Sequence, residues 1–229
     1  MNTNKLIVIE GACDGIGKST QFALLCERLH SLGIETASHH FPSYGTPQGA
    51  MVEAYLKGEL GRAEELSPYF INSLYAIDRA VTWKSKLEPI CRDEGKLILL
   101  DRYTTSSLIY QSAFITDAEK KSSFINYVTD FEYAKLGIPA PDLVIFLDAP
   151  YETASVLRAA REENDGVERD IHETDDGFMK KVYDSAQLVS DKLGWARIRC
   201  TDQSGGLRSR EDIHSDVFER VSALLGIEA

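Results

Sequence analysis

Residues 5–20 read Lys5-Leu6-Ile7-Val8-Ile9-Glu10-Gly11-Ala12-Cys13-Asp14-Gly15-Ile16-Gly17-Lys18-Ser19-Thr20, an apolar strand running into a glycine-rich turn and then a helix. Small residues at this spacing let consecutive backbone N–H groups turn inward around a polyphosphate, while Lys18 reaches the terminal phosphates and Ser19 offers its hydroxyl to Mg²⁺. The helix that begins here adds its positive end to the same anion. Phe22, Leu25, Leu29 and Leu32 then recur at helical spacing and stop at Gly33, which predicts a helix of ordinary length closed by glycine. A nucleoside triphosphate is the expected ligand, cradled by Gly11, Ala12, Cys13, Asp14, Gly15, Ile16, Gly17, Lys18, Ser19 and Thr20.

The loop departs from the common form in one respect. Counting back from Gly17, the first conserved-spacing position is Ala12, and the glycine sits one place earlier at Gly11. The loop is therefore one residue longer. Ala tolerates a left-handed backbone poorly, at roughly 1 kcal/mol relative to Gly. Either Ala12 has ordinary dihedrals or Gly11 takes over the turn.

Five apolar runs have strand character: 5–10, 35–41, 96–101, 142–148 and 195–200, with helix-like segments between them. Leu97 to Leu100 is apolar at every position, as in a parallel strand covered by helices on both faces. The pattern predicts a three-layer, doubly wound α/β fold, and 229 residues suffice for one domain over 1–229. Ligands of such sheets sit at the carboxyl ends of the strands. Three features fall there: the phosphate loop, Phe41-Pro42, and Asp101-Arg102-Tyr103.

Charge and cysteine usage narrow the partners. A formal net charge of −11 speaks against a nucleic-acid backbone, which needs a basic face to displace counterions. Small phosphates need only a local cluster, for which Lys18, Arg79, Arg102, Arg158, Arg161 and Arg169 are the candidates. Cys13, Cys26, Cys91 and Cys200 have no metal-ligand or paired spacing, so a reduced, cytoplasmic protein is expected. The apolar runs are strand-sized and the N-terminus lacks a signal-peptide core, so no membrane partner is expected either.

A phosphate loop alone serves GTPases, motors, regulatory modules and kinases. No Asn-Lys-x-Asp follows a strand to read guanine, and the chain is short for a motor. The argument for a small-molecule kinase is Asp101-Arg102: the acid to order Mg²⁺ or its waters, the arginine to grip a second phosphate. Helix capping ahead of Thr104-Thr105-Ser106-Ser107 is the alternative for Asp101. The stretch 158–176 is almost devoid of large apolar residues and reads either as a solvated helix end or as a lid bringing arginines to phosphates. His172 lies within it and is expected to be solvated and without a catalytic role.

Glu10-Gly11 through Thr20-Gln21, Phe41-Pro42, Tyr75-Ala76-Ile77-Asp78-Arg79, and Asp101-Arg102-Tyr103 with Ser106, Tyr110 and Gln111 together resemble the thymidylate kinase family over residues 5 to about 200. The resemblance implies transfer of the γ-phosphoryl of ATP to dTMP with Mg²⁺, a P-loop fold with a five-stranded parallel sheet and a mobile lid (about 151–176), and a homodimer. Alternatives are a kinase for another nucleotide or nucleoside, or a P-loop regulatory module without transfer. By the resemblance the acceptor region is about 41–111. Tyr75 stacks on thymine, Arg79 contacts the base or acceptor phosphate, Ser106 and Gln111 meet the pyrimidine edge, and Tyr110 lies under the sugar. Tyr75 and Arg79 are i, i+4 and share a helix face; core packing is the plain alternative for Tyr75. Phe41, Pro42, Asp101 and Arg102 complete the acceptor set, and Asp14 matches a loop aspartate near the acceptor 3′-hydroxyl. Ser19 and Asp101 are the metal candidates. Some members have an arginine near Phe-Pro, where this chain has Ser43-Tyr44. Asp14-Gly15 is of the kind that takes its transition-state arginine from the lid, which assigns catalysis to Lys18, Arg102, Arg158 and Arg161, and Arg169 to ATP. No general base is needed, because a phosphate monoester with a second pKa of about 6 is largely dianionic at neutral pH.

Overall fold

The computed structural model describes residues 4–11, 15–91, 96–157, 171–172 and 175–228. Five strands, β1 (Lys5–Gly11), β2 (Thr36–His40), β3 (Leu97–Asp101), β4 (Leu143–Asp148) and β5 (Ala196–Arg199), lie within one residue of their expected bounds. They form one sheet in the order β2-β3-β1-β4-β5, with every pairing parallel. Around it run α1 (Lys18–Ser31), α2 (Ala50–Leu56), α3 (Pro68–Thr82), α4 (Thr104–Ala113), α5 (Ala118–Thr129), α6 (Asp176–Lys192) and α7 (Arg210–Leu225). A π-helical turn extends α3 over Trp83–Leu87, and another extends α5 over Asp130–Lys135. Most of the expected lid, with Arg158, Arg161 and Arg169, lies outside the described residues, as do Ala12, Cys13 and Asp14.

Side chains alternate across a strand, so an unbroken apolar run must be covered twice. Ile7, Ile9, Leu97, Leu99, Ile145 and Leu147 pack under α1 and α7 with Leu25, Leu29, Val217 and Val221. Leu6, Val8, Ile98, Leu100 and Val144 face the other way, onto Trp83, Leu87, Tyr103 and Ile138. Leu25 and Leu29 are fully buried, each contributing about 1.5–3 kcal/mol by leaving water.

The same alternation aims the polar residues that end the strands. Ile9 pairs with Asp101 in the β1–β3 register. Asp101 continues the face of Leu97 and Leu99, toward the start of α1. Glu10 continues the face of Leu6 and Val8, toward α4. His40 of β2 is also in register with Asp101, so the ends of three strands meet on one edge, where such sheets bind their ligands.

Candidate active site

Strand β1 ends at Gly11, where a Cβ would lie 2.8 Å from Ile16 Cγ2 and 3.2 Å from Lys18 Cγ. The returning loop presses on the strand end, and only glycine leaves room. Gly17 precedes α1 at φ 96°, a left-handed turn suited to glycine, and Lys18 follows, only 6% exposed. Ser19 is exposed on the first turn of α1. The acid-free first turn of α1 leaves its positive end for an anion.

Asp101 is buried at the end of β3. Its Oδ2 lies 3.1 Å from His40 Nδ1, while its Oδ1 takes no hydrogen bond from any described residue. Burial alone would raise the carboxyl pKa, but the His40 hydrogen bond and the Arg102 and Lys18 charges outweigh it and hold the group below the usual carboxylate value. Asp101 does not cap α4: the N-cap position is Tyr103, and no side chain accepts there.

Arg102 occupies the left-handed region at φ 65°, the only non-glycine residue to do so among those described. Such backbone is held only where its surroundings fix it. Its N–H donates to Ile9 O at 3.1 Å, which bends the chain back over β1. The guanidinium stands over the Tyr110 ring at 5.6 Å and 4.0 Å from Glu10 Oε1.

Glu10, which sequence reasoning left inside the motif without a role, organises this corner. It is fully buried and accepts from Gly11 N (3.1 Å), Thr105 Oγ1 (2.9 Å) and Ser106 Oγ (2.6 Å). The Ser106 proton is thereby committed to Glu10, leaving its oxygen only an acceptor role toward a base. The signal was available: one charge closing an otherwise apolar strand.

Arg79 has extensive protein partners. It is 1% exposed and lies in a buried ion pair, Nε and Nη2 each 2.6 Å from Glu132, with Nη2 also donating to Ser107 (2.8 Å) and Nη1 to Tyr103 O (3.4 Å). Burial opposes the guanidinium charge, yet Glu132 more than restores it and raises the pKa. Almost every N–H is engaged by the protein, so Arg79 braces the Tyr103–Ser107 turn instead of facing an open pocket. Glu132 also takes the Thr104 hydroxyl at 2.8 Å. It lies in a π-helical turn far along the chain, which is why the sequence did not reveal it.

Tyr75, on the other hand, is half-buried, edge-on to Tyr55 with ring centroids 6.2 Å apart. Tyr110 and Gln111 line the inner side of α4, both buried. Phe41 and Pro42 are joined by a cis peptide bond and are buried beside Tyr103. The following turn is pinned by α3: Asp78 Oδ2 accepts from Ser43 N at 2.8 Å. A directional chain supports it. Lys86 has only protons to give, so it donates to His39 Nδ1 (3.1 Å), and His39 Nε2 then donates to Ser43 Oγ (2.9 Å). Ser43 passes to Thr82 (3.0 Å) and Thr82 to Asp78 Oδ1 (3.3 Å). Burial first, and then Lys86, depress the His39 pKa to about 4, so the ring is neutral as this chain requires.

His172 is not the solvated residue expected. It is 3% exposed, 3.1 Å from the Tyr55 hydroxyl through Nε2, and stacked on Phe178 at 5.2 Å.

The sequence matches the thymidylate kinase family model over residues 9–204. The chain belongs to the thymidylate kinase family. A thymidylate kinase of Mycobacterium tuberculosis is 33% identical over 197 residues, covering 83% of this chain and 87% of the relative. One from Pelotomaculum thermopropionicum is 33% identical over 223 residues, with 96% and 94% covered. Among solved structures, the thymidylate kinase of Candida albicans superposes with a TM-score of 0.69 at 23% identity, over 96% of this chain and 92% of the other, a likeness of fold. The thymidylate kinase match spans β1 to β5, and so takes in every strand end described above.

Proposed function

We propose that this chain transfers the γ-phosphoryl group of ATP to dTMP, giving dTDP. The observation that carries the reading is the meeting of Lys18, Asp101 and Arg102 at the ends of β1 and β3, with the Arg102 guanidinium over the buried Tyr110 ring and a half-buried Tyr75 on α3. Cationic side chains beside a phosphate cradle suit two polyanions held end to end, and the dianionic acceptor attacks with no base. Alignment and charge neutralisation then carry the reaction. Tyr75 supplies a flat face for a base, worth roughly 1–3 kcal/mol. Arg158, Arg161 and Arg169 belong to the same proposal, on sequence alone.

The residues present fit Mg²⁺. Ser19 offers an exposed hydroxyl on the first turn of α1, and Asp101 Oδ1 is an ionised oxygen with no described partner, the hard oxygen donors this ion takes in small number alongside substrate phosphates. When bound, Mg²⁺ would neutralise charge on the β- and γ-phosphates. Asp101 is held in place for that task by His40.

A coupled assay with Mg-ATP against dTMP, dUMP, dCMP, dGMP and thymidine tests the reaction. We expect dTMP to exceed dUMP by about tenfold or more in kcat/KM, the worth of one buried methyl group, and thymidine to be inert. Preference for thymidine would make the enzyme a nucleoside kinase, and no transfer to any of the five a binding module.

A homodimer is the second element of the proposal. Phe70 (44%), Ile77 (50%) and Val81 (43%) stand exposed along one face of α3, with Leu74 between them, a stripe at helical spacing that a second copy would cover. A stable pair covers about 800 Å² on each partner. Light scattering should return twice the chain mass for wild type and the monomer mass for Ile77→Lys; a monomeric wild type removes the dimer from the proposal. Among the described residues, no helix is long and apolar enough to cross a membrane, and Cys26, Cys91 and Cys200 are free thiols. Free thiols fit the reduced, cytoplasmic location we propose.

A further inference from the structure

Tyr75 and Tyr110, the two rings proposed to hold the acceptor's base and sugar, lie on different helices, α3 and α4. His172 joins them. Its ring lies 5.5 Å from Tyr55 and 6.0 Å from Tyr110, centroid to centroid, with Phe114 at 6.0 Å and Phe178 at 5.2 Å completing a closed aromatic surround. Tyr55, fully buried on α2, shares a hydrogen bond with His172 Nε2 at 3.1 Å and meets Tyr75 edge-on. The backbone is fixed at the same place: Ile171 N donates to Leu56 O at 3.3 Å, and Asp175 N to His172 O at 3.2 Å. One imidazole thus ties α2, α4 and the start of α6 together behind the acceptor pocket.

We propose that His172 is a positioning residue for the acceptor: through Tyr55 it sets the edge of Tyr75, and by direct ring contact it sets the plane of Tyr110. The inference rests on the acceptor reading given above. A purely apolar ring would fill the surround, but the Tyr55 hydroxyl, buried with its ring, needs a polar partner, and the imidazole supplies a nitrogen where four aromatic rings converge. Histidine is both flat enough to stack on Phe178 and polar enough to hold Tyr55 in one rotation. The sugar side of the pocket is then backed by a residue that never touches substrate. Loosening it should blur the discrimination between a 2′-deoxy sugar and its ribose counterpart as well as weaken binding.

Steady-state kinetics on His172→Ala, His172→Phe and Tyr55→Phe, with dTMP, its ribose analogue and ATP each varied, test this. For His172→Ala we expect KM for dTMP to rise about tenfold, kcat and KM for ATP to stay within about twofold, and the preference for dTMP over the ribose analogue to fall about fivefold. His172→Phe keeps the packing and loses the hydrogen bond, and Tyr55→Phe loses only the hydroxyl. Each should raise KM for dTMP about threefold, and the double variant should be no worse than either single one, the signature of one shared interaction. A space-filling role alone predicts lower thermal stability with unchanged KM and unchanged sugar preference, and that result overturns the proposal. Should His172→Ala not fold, the two conservative variants decide by the same readouts. Tyr75→Ala run alongside separates the two levels: if it raises KM for dTMP and the His172 and Tyr55 variants do not, the positioning role alone fails, whereas if Tyr75→Ala leaves KM for dTMP unchanged, the acceptor reading fails.

Discussion

Lys18→Ala should leave the fold and melting temperature nearly unchanged and lower kcat by about a thousandfold, because a charge aimed at the transferring phosphoryl group counts most in the transition state. Lys18 is only 6% exposed, set on the first residue of α1 behind a left-handed glycine, so its ammonium is delivered in a fixed direction. Its charge also helps keep Asp101 ionised. The variant therefore loses a cation at the phosphates and relaxes the acid next to them. Single-turnover measurement of phosphoryl transfer, with circular dichroism to verify folding, tests this. A folded variant with kcat within tenfold of wild type would remove the phosphate-loop assignment.

The largest expected effect on stability is at Glu132. Removing its carboxylate leaves the Arg79 guanidinium buried without its counter-ion, and such a loss costs about 3–5 kcal/mol. For a chain of this length that lowers the melting temperature on the order of 10 °C. Glu132→Ala also removes one partner of the Thr104 hydroxyl, which adds to the loss. Replacing both partners, Arg79→Met with Glu132→Leu, should recover much of the loss, since two apolar side chains need no desolvation of charge. Urea unfolding of the three proteins is the measurement. If Glu132→Ala loses less than about 1 kcal/mol, the pair is not the buried, mutually dependent unit described here.

The layout of the fold was legible because it follows from local rules. Each strand is an apolar run bounded by a turn or a helix signal, and both faces of Leu97 to Leu100 had to be covered. The placing of Asp101-Arg102 at the end of β3 was equally legible, the two being consecutive residues after an apolar run. Contacts between distant segments were not. Arg79 and Glu132 are separated by 53 positions, and Tyr55 and His172 by 117, so nothing in the spacing of either residue announces its partner. His172 differs from its expectation for a specific reason: the sequence around it is mostly acidic, but Ile171 and His172 lie against α2, where Leu56 O receives Ile171 N. For Arg79, a shared helix face with Tyr75 says which way it points but not that an acid from a π-helical turn meets it there.

The pleat of β1 and β3 sorts negative charge between the two faces of the sheet. With Ile9 opposite Asp101, the next residue, Glu10, turns to the opposite side of the sheet, so two carboxylates one step apart along the edge never share a compartment. Asp101 is left with His40 and the Lys18 charge and Glu10 with the Thr105 and Ser106 hydroxyls, while the Arg102 charge reaches both. A single residue inserted within β1 ahead of Glu10 would turn that acid to the face of Asp101 and crowd two carboxylates beside Lys18. The longer phosphate loop avoids this, because the pairing of β1 with β4 runs unbroken as far as Gly11 opposite Leu147. Glu10 therefore keeps to its own side of the sheet.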